Sequence, residues 1–215
     1  PVFFWLDRLL TILWLVGITN AFNLVDSMDG LAVGLSGWSF AFFMLATFDS
    51  RQGQLSALSA VFIGACLAIY FYNKQPARLF LGDSGAQMLG FLLAAVAILY
   101  APLEKHQNSS WFVPVLLLGV PIFDTSLVFF SRLRRRRPFY QANLDHTYHR
   151  LVNLGLDPGR AVNLMHLAGL TLACLAFVAI TLTPLFANLI FAGCVLAGLI
   201  LMIWLDRKKF WKNFL

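Results

Sequence analysis

The sequence predicts an all-α polytopic membrane protein, a bundle of about seven transmembrane helices. Three observations indicate this class: the composition, the length of the apolar runs and the position of the basic residues. The chain has 215 residues, of which 60% are hydrophobic and only 12% are charged, whereas soluble domains average about 45–50% apolar and about 25% charged residues. So few charges cannot cover a water-facing surface of this size, which favours a membrane protein.

Seven apolar runs approach the length of about 20 residues that a helix needs to cross a bilayer. Each should be helical, because a helix satisfies its own backbone hydrogen bonds in lipid. The runs cover approximately 3–22, 31–48, 54–73, 85–103, 111–131, 161–183 and 185–205. No repeat or linker divides them, so we expect a single membrane domain over 1–215. Because the chain starts at Pro1 and shows no signal peptide, we expect the C-terminal portion of a longer protein.

The lysines and arginines lie almost entirely on one side of the predicted bundle. That side consists of the connectors 23–30, 74–84 and 132–160 and the tail 206–215. Of the 16 basic residues, the only exceptions are Arg8, Arg51 and Lys105. The positive-inside rule places this side in the cytoplasm of the cell, at the inner (plasma) membrane. No nucleic-acid partner is expected, because the basic residues occupy short gaps between apolar runs rather than a continuous surface.

Two asparagines and two aspartates close the first span and open the second. Asn20 and Asn23 are three residues apart, as are Asp26 and Asp29, so at helical spacing each pair shares a face. Polar groups at the mouth of a membrane bundle are costly unless they are paired or functional. Helix capping next to Gly30 would explain one aspartate, but it does not explain four polar groups.

A second candidate is Asp83, which stands between two glycines immediately before an apolar helix. The backbone N–H groups at such a helix start are suited to phosphate. A carboxylate that faces a cavity there is a good Mg²⁺ ligand, because this ion takes oxygen ligands and keeps waters and substrate phosphates. Asp83 could instead cap its helix, and the short motif alone does not decide between the two.

The connector 132–160 carries the third group of candidates. Its arginine run, Arg134–Arg137, is typical of a segment that faces anionic lipid headgroups. His146 and His149 stand three residues apart, and Arg150 follows directly. Arginine suits bidentate phosphate contacts, and histidine can bind metal, donate to phosphate or move a proton. A zinc site is the competing interpretation, but no cysteine lies near.

Two ionisable residues lie inside predicted spans. At about 1.5 Å per residue, Asp124 and His166 both lie about 10 Å from the same side. We expect a structural pair here rather than catalysis, either between these two residues or between Asp124 and an arginine of the loop.

All three polar groups fall on the side that the basic residues mark as cytoplasmic. They describe a site for a metal-bound, phosphate-rich substrate and a lipid co-substrate. A transporter or lipid-binding protein is the alternative, but it predicts polar residues that continue through the bilayer midplane. Here the polar residues stop near one face.

At these motifs the sequence resembles the polyprenyl-phosphate N-acetylhexosamine-1-phosphate transferases, which form glycosyltransferase family 4. The resemblance extends over essentially the whole chain. The most specific stretches are 20–32, 73–83 and 119–124. In this family Asp83 corresponds to the Mg²⁺-binding aspartate, with Mn²⁺ as an alternative ion. Asn73 corresponds to a nucleoside-contacting asparagine.

The resemblance and the motifs together predict the site residues. Those expected to have catalytic roles are Asp26, Asp29, Asp83, His146 and His149. Those expected to bind substrate are Asn20, Asn23, Asn73 and Arg150. Among them, the resemblance implies nucleotide and phosphate contacts for Asn23, Asp26 and Asp29, and contacts with substrate phosphate for the two histidines.

The implied reaction transfers N-acetylhexosamine-1-phosphate from a UDP-sugar to undecaprenyl phosphate, with release of UMP, for cell-envelope polysaccharide synthesis. Tyr148 stands where the family's usual loop has a middle histidine, and this variant is closer to the N-acetylglucosamine branch. A phospho-N-acetylmuramoyl-pentapeptide transferase is the alternative. The expected partners are the UDP-N-acetylhexosamine, undecaprenyl phosphate and membrane lipids; a homodimer is left open.

One departure from the family concerns an Asp-Asp pair that the family carries in a loop upstream of position 1. No Asp-Asp dipeptide occurs in this chain. A longer parent protein would supply the pair, which we expect here; an inactive fragment is the other interpretation.

Overall fold

The computed structural model describes residues 2–102, 111–136 and 145–207. Across these ranges the chain forms nine α-helices and no strand, which confirms the predicted all-α class. The helices are α1 (Val2–Val25), α2 (Leu31–Asp49), α3 (Gly53–Asn73), α4 (Gly82–Leu99), α5 (Val113–Leu117), α6 (Gly119–Arg134), α7 (Thr147–Asn153), α8 (Pro158–Thr181) and α9 (Pro184–Leu205).

Six of these helices, α1 to α4, α8 and α9, are long and apolar enough to cross a membrane. The protein is therefore a multi-pass membrane protein. Six of the predicted spans coincide with these helices to within a few residues at each end. The organisation as a single domain stays a prediction.

The seventh predicted span, 111–131, is wrong as one continuous helix, because the structure divides it into α5 and α6 at Leu118. Pro121 has no N–H, so the carbonyl of Leu117, four residues earlier, loses its helical donor. The Ser39 hydroxyl of α2 donates to this carbonyl at 2.9 Å. A break at membrane depth is tolerated when a neighbouring helix satisfies the exposed backbone in this way.

Helix α2 forms the centre of the bundle and packs against α3, α8 and α4, while α1 packs along α4. Close approach of α1 and α4 depends on Gly90, where an added Cβ would lie only 2.9 Å from the Cα of Thr19. Phenylalanines 22, 40 and 43 fill the interior and are fully buried. Large apolar side chains cover the outside of α1 and α9, as a lipid-facing surface requires.

The helix ends meet in two separate layers. One layer contains the connectors 26–30 and 74–81, helix α7, the end of α6 and the end of α9; we call it the motif face. At the opposite layer Gln52 bridges two connections, because its amide donates to the Leu99 carbonyl at 2.8 Å and accepts from the Ala101 N–H at 3.0 Å. All nine predicted site residues lie on or next to the motif face. Its orientation in the cell stays a prediction.

Candidate functional site

Two connectors of the motif face are locked together by hydrogen bonds. The Gly30 N–H donates to the buried Asn73 side-chain oxygen at 3.1 Å, and the Asn73 amide donates to the Leu79 carbonyl at 2.8 Å. In the same connector the Ala77 N–H donates to an Asp29 carboxylate oxygen at 3.0 Å. Asn73 and Asp29 thus hold the framework of the site. Their predicted contacts with substrate stay predictions.

A pair of carboxylates lies where α1 ends and α4 begins. Asp26 follows α1 directly, and Asp83 occupies the first turn of α4. Burial, and then the negative charge of Asp83, raise the pKa of Asp26 from its ordinary value of 3.8 to about 6. Asp26 is half-buried and Asp83 is exposed. The structure therefore brings together two of the predicted catalytic aspartates.

The Asn23 side chain adds an oxygen near this pair. Its Oδ1 atom is buried and has no hydrogen-bond partner among the described residues. Asn23 lies three residues before Asp26, at the spacing that places two side chains on one helix face. Asn20 is exposed, and its amide donates to the Val16 carbonyl of the same helix at 2.9 Å. A buried oxygen without a donor requires an explanation, and a bound cation or substrate N–H group provides one.

The oxygens of Asp26, Asp83 and Asn23 fit Mg²⁺ by their chemistry. This ion is typically bound by one or two carboxylates together with waters and substrate phosphates. Over the described ranges no three His, Cys, Asp or Glu residues are grouped closely enough to hold a metal. Asp26, Asp83 and Asn23 would supply only part of the ligands of such an ion, and waters and substrate phosphates would supply the others.

Asp124 holds the start of the histidine segment. Its carboxylate is 1% exposed and accepts from His146 Nδ1 at 2.7 Å and from the Thr147 N–H at 2.6 Å. Of the two pairings expected for Asp124, the one with His166 is wrong, because His166 Nε2 lies 3.2 Å from the Leu31 carbonyl instead; the one with a loop arginine stays a prediction. Sequence reasoning therefore missed Asp124 as a site residue, although a carboxylate inside a span was the signal.

His149 lies one helical turn after His146 on α7 and is half-buried. Burial lowers the pKa of His149 below its usual value, and the neighbouring His146 lowers it further, while the Asp124 carboxylate acts in the opposite direction. The surroundings of His149 therefore favour the neutral form of its imidazole. A neutral imidazole can both donate and accept a hydrogen bond.

Tyr148 connects the histidine segment with the aspartate connectors. Its ring is buried and packs edge-on against His149, with the ring centroids 5.2 Å apart. Burial raises the pKa of the Tyr148 phenol, and the carboxylates of Asp157 and Asp29 raise it further. Helix α7 packs against α8, and a Cβ built on Gly159, at the start of α8, would lie 3.1 Å from the Gln75 side-chain oxygen, so the histidine segment and the connector 74–81 share one face.

Arg150 is only 2% exposed and braces the histidine segment. Its guanidinium donates to the Asp145 carbonyl at 2.8 Å, to the Leu205 carbonyl at 3.0 Å and to the Asp206 carboxylate at 3.3 Å. These contacts tie α7 to the end of α9. The predicted contact of Arg150 with substrate phosphate stays a prediction.

Asp206 is a second residue that no motif revealed. Besides Arg150 it accepts from the Ser131 hydroxyl at 2.8 Å and pairs with Arg134 at 2.6 Å and Arg135 at 3.0 Å. The arginine run therefore makes ion pairs inside the protein in addition to its expected exposure to headgroups. Arg137 and Lys105 lie outside the described residues.

Comparison with known proteins extends the likeness beyond the motifs. The sequence model described as Glycosyl transferase family 4 matches residues 1–101. A probable undecaprenyl-phosphate N-acetylglucosaminyl 1-phosphate transferase from Bacillus subtilis (strain 168) is 35% identical over 174 residues, covering 81% of this chain and 48% of the relative.

Two further relatives carry related names. A decaprenyl-phosphate N-acetylglucosaminephosphotransferase from Mycobacterium leprae is 30% identical, over 74% of this chain and 44% of the relative. A phospho-N-acetylmuramoyl-pentapeptide-transferase from Limosilactobacillus fermentum is 31% identical, over 67% and 44% respectively. The chain spans about half the length of the curated relatives it matches. By its three motifs and these matches, the chain belongs to glycosyl transferase family 4.

Proposed function

We propose that the full-length protein transfers N-acetylglucosamine-1-phosphate from UDP-N-acetylglucosamine to undecaprenyl phosphate and releases UMP, at the cytoplasmic face of the plasma membrane. The observation that carries the proposal is that the connectors next to Asp26 and Asp83 are hydrogen-bonded to each other and lie on the same face as the histidine segment. The names of the relatives from Bacillus subtilis and Mycobacterium leprae support this donor and acceptor class. A role in cell-envelope polysaccharide synthesis follows from such a product.

The chemistry is a phosphoryl transfer between two phosphate groups. An oxygen of the lipid phosphate attacks the β-phosphorus of the UDP-sugar and forms a new P–O bond. The bond from that phosphorus to the bridging oxygen breaks, and UMP leaves with the electron pair. A phosphate monoester has its second pKa near 6, so the acceptor is already mostly dianionic at neutral pH and needs no strong base.

The protein's part is then positioning and neutralisation of charge. Asp26, Asp83 and Asn23 would hold Mg²⁺, or Mn²⁺ as the alternative. When bound, the ion would offset the negative charge of the pyrophosphate. His146 and His149 would donate hydrogen bonds to the donor phosphates. The remaining predicted substrate residues, Asn20, Asn73 and Arg150, would complete or brace the donor site.

A second donor is kept because of a specific relative. The protein from Limosilactobacillus fermentum is named for a muramoyl-pentapeptide substrate. We favour the simpler sugar because Tyr148 replaces the middle histidine and because the Bacillus subtilis relative aligns over more of this chain.

The decisive assay uses full-length protein in detergent with undecaprenyl phosphate, Mg²⁺ or Mn²⁺ and each UDP-sugar in turn. We expect metal-dependent UMP release that is fastest with UDP-N-acetylglucosamine. Release only with the muramoyl-pentapeptide donor would select the alternative donor. No release with any UDP-N-acetylhexosamine would overturn the proposed function.

A further inference from the structure

The two hydrogen bonds of Asp124 go beyond what is needed to hold α6 against the histidine segment. The carboxylate belongs to α6 and is 1% exposed. It contacts two different hydrogen-bond donors of the histidine segment. One oxygen accepts from His146 Nδ1 and the other from the backbone of Thr147. Both distances, 2.7 and 2.6 Å, are short, as expected for charge-assisted hydrogen bonds.

Only a carboxylate can accept both hydrogen bonds. An ionised aspartate has two acceptor oxygens and no donor, so the His146 Nδ1 atom must carry the proton. An asparagine would present one oxygen and one NH₂ group. If its oxygen kept the Thr147 N–H, its NH₂ group would face Nδ1 and would require the opposite tautomer of the ring.

The consequence concerns the other ring nitrogen. Because Asp124 engages Nδ1, a ligand can be contacted only through Nε2 of His146. The second hydrogen bond, from the Thr147 N–H, fixes the backbone next to His146. Together the two hydrogen bonds set both the orientation and the tautomer of the imidazole. A hydrogen bond from Nε2 to a phosphate oxygen then requires a second proton on the ring, whose positive charge would face the Asp124 carboxylate.

We propose that Asp124 is the positioning residue of the donor-phosphate site: it holds His146 so that Nε2 contacts a phosphate of the nucleotide-sugar. This deepens the proposed function and rests on it for the identity of the ligand. Removing the partner of a metal-bound histidine typically costs about 10–100-fold in metal affinity or activity, and we expect a loss of the same order for this phosphate-binding histidine.

The first test reads the tautomer directly and needs no substrate. The full-length protein is labelled with ¹⁵N-histidine and measured by NMR at a pH well above the ordinary histidine pKa of about 6.5. His146→Gln identifies the signals. We expect a protonated Nδ1 and an unprotonated Nε2 in the wild type, and a reversed or mixed tautomer in Asp124→Asn.

Asp145→Asn is the matched control for this measurement. Asp145 is 2% exposed, lies one residue before His146 and pairs with Arg132 at 3.4 Å and Arg135 at 3.7 Å. The substitution makes the same chemical change in an equally buried carboxylate, but this carboxylate pairs with the two arginines and not with His146 Nδ1. The His146 tautomer should stay as in the wild type.

The second test is a double-mutant cycle on kcat/KM for the UDP-sugar. Asp124→Asn and His146→Gln should each lower this ratio about 10–100-fold. The double variant should fall no further than His146→Gln, because Asp124 acts through that ring. Losses that multiply in the double variant, or an Asp124→Asn protein within about twofold of the wild type, would show that Asp124 is only a structural tie.

The two proposals fail in different ways. Absence of UMP release in the wild type overturns the reaction, while the tautomer result stands by itself. UMP release together with an Nε2-protonated His146 in the wild type overturns the positioning role alone. That last measurement decides the matter even if Asp124→Asn does not fold.

Discussion

Asp26 carries a charge that the folded protein disfavours in two ways, since its carboxyl is half-buried and lies close to Asp83. A carboxyl in such surroundings gains a proton at a higher pH than an exposed one. The same two conditions make the place favourable for a divalent cation. Without an ion, the charged site therefore weakens the fold, and an ion removes that cost.

The pH dependence of stability tests this view of Asp26. Between about pH 4 and pH 6 the folded metal-free protein holds the proton more tightly than the unfolded chain, so stability should fall as the pH rises through this range and then level off. Asp26→Asn should flatten this slope and raise the thermal midpoint at pH 7.

Solvent screening limits the size of the effect, because Asp26 is only half-buried. We expect about 1 kcal/mol, which corresponds to about 2–4 °C for a domain of 150–250 residues and to a smaller shift for a longer protein. Thermal melts of full-length protein in EDTA at several pH values measure it. The control is Asp7→Asn, an exposed aspartate near the other end of α1. Equal slopes in the wild type and Asp26→Asn would contradict the expectation.

Metal binding provides a second test at the residue scale. Mg²⁺ should raise the thermal midpoint of the full-length wild type, because a ligand that binds only the folded state stabilises it by about 2.7 kcal/mol at a hundredfold excess over Kd. Asp26→Asn and Asp83→Asn should show a much smaller shift.

The matched control for the metal shift is Asp157→Asn. Asp157 caps α8 on the same side of the protein and is exposed, and asparagine is an equally good capping residue. Its Mg²⁺ shift should equal that of the wild type. If Asp83→Asn also kept the full shift, the assignment of Asp83 to the metal would fail.

At the scale of elements, the broken span α5–α6 shows how the site residue Asp124 reaches its partners. Pro121 interrupts the helix three residues before Asp124, and Ser39 of the central helix α2 compensates at Leu117. That hydrogen bond joins the end of α5 to α2. Helix α6 begins after the break and carries Asp124, which contacts His146 and Thr147.

Ser39→Ala tests this compensation. The substitution leaves the Leu117 carbonyl without a donor in an apolar interior, so it should lower stability by about 1–3 kcal/mol. Ser36→Ala is the control, because the Ser36 hydroxyl is equally buried but donates to the Ala32 carbonyl of its own helix. Pro121→Ala restores the missing N–H, so Ser39→Ala should cost less in that background. An equal cost in both backgrounds would contradict the role of Ser39.

The sequence was informative where the signal is local. Span lengths follow from runs of apolar residues, and six of the seven predicted spans are helices. The break in the seventh was not predictable from Pro121 alone, because a proline within a span is compatible with a continuous kinked helix. Whether the chain breaks depends on a donor such as Ser39, which lies on another helix.

At the scale of the whole molecule, the motif face brings together predicted site residues that lie far apart in the sequence. Sequence reasoning placed Asp26, Asp83 and His146 on one side, because helix counting alone decides the side on which a connector lies. It could not predict the Asp124–His146 contact or the burial of Arg150. Both depend on how α6, α7 and α9 meet, which no local pattern records.

The orientation of the motif face is tested by cysteine labelling of intact cells. In a variant of the full-length protein without native cysteines, Gln54→Cys marks the opposite layer and Asn153→Cys marks the motif face; both positions are exposed. A membrane-impermeant maleimide should reach Gln54→Cys from outside and Asn153→Cys only after the cells are permeabilised, because the positive-inside rule predicts a cytoplasmic location for the basic side. The reverse pattern would invert the proposed topology.

Helix α9 is buried only at Ala187 and Leu205, close to its two ends. Its last turn nevertheless holds Arg150 and the arginines of α6 through Leu205 and Asp206. Between these ends the helix packs mainly through Phe191 and its neighbours, and tilting is one way in which a span accommodates a bilayer of different thickness. The acyl-chain length of the lipid should therefore change the turnover of the full-length protein in proteoliposomes. Asp206→Ala removes the ion pairs of α9 with Arg150 and with the arginines of α6, so it should reduce that dependence. On this expectation, the thickness of the surrounding bilayer would affect the rate of the proposed reaction.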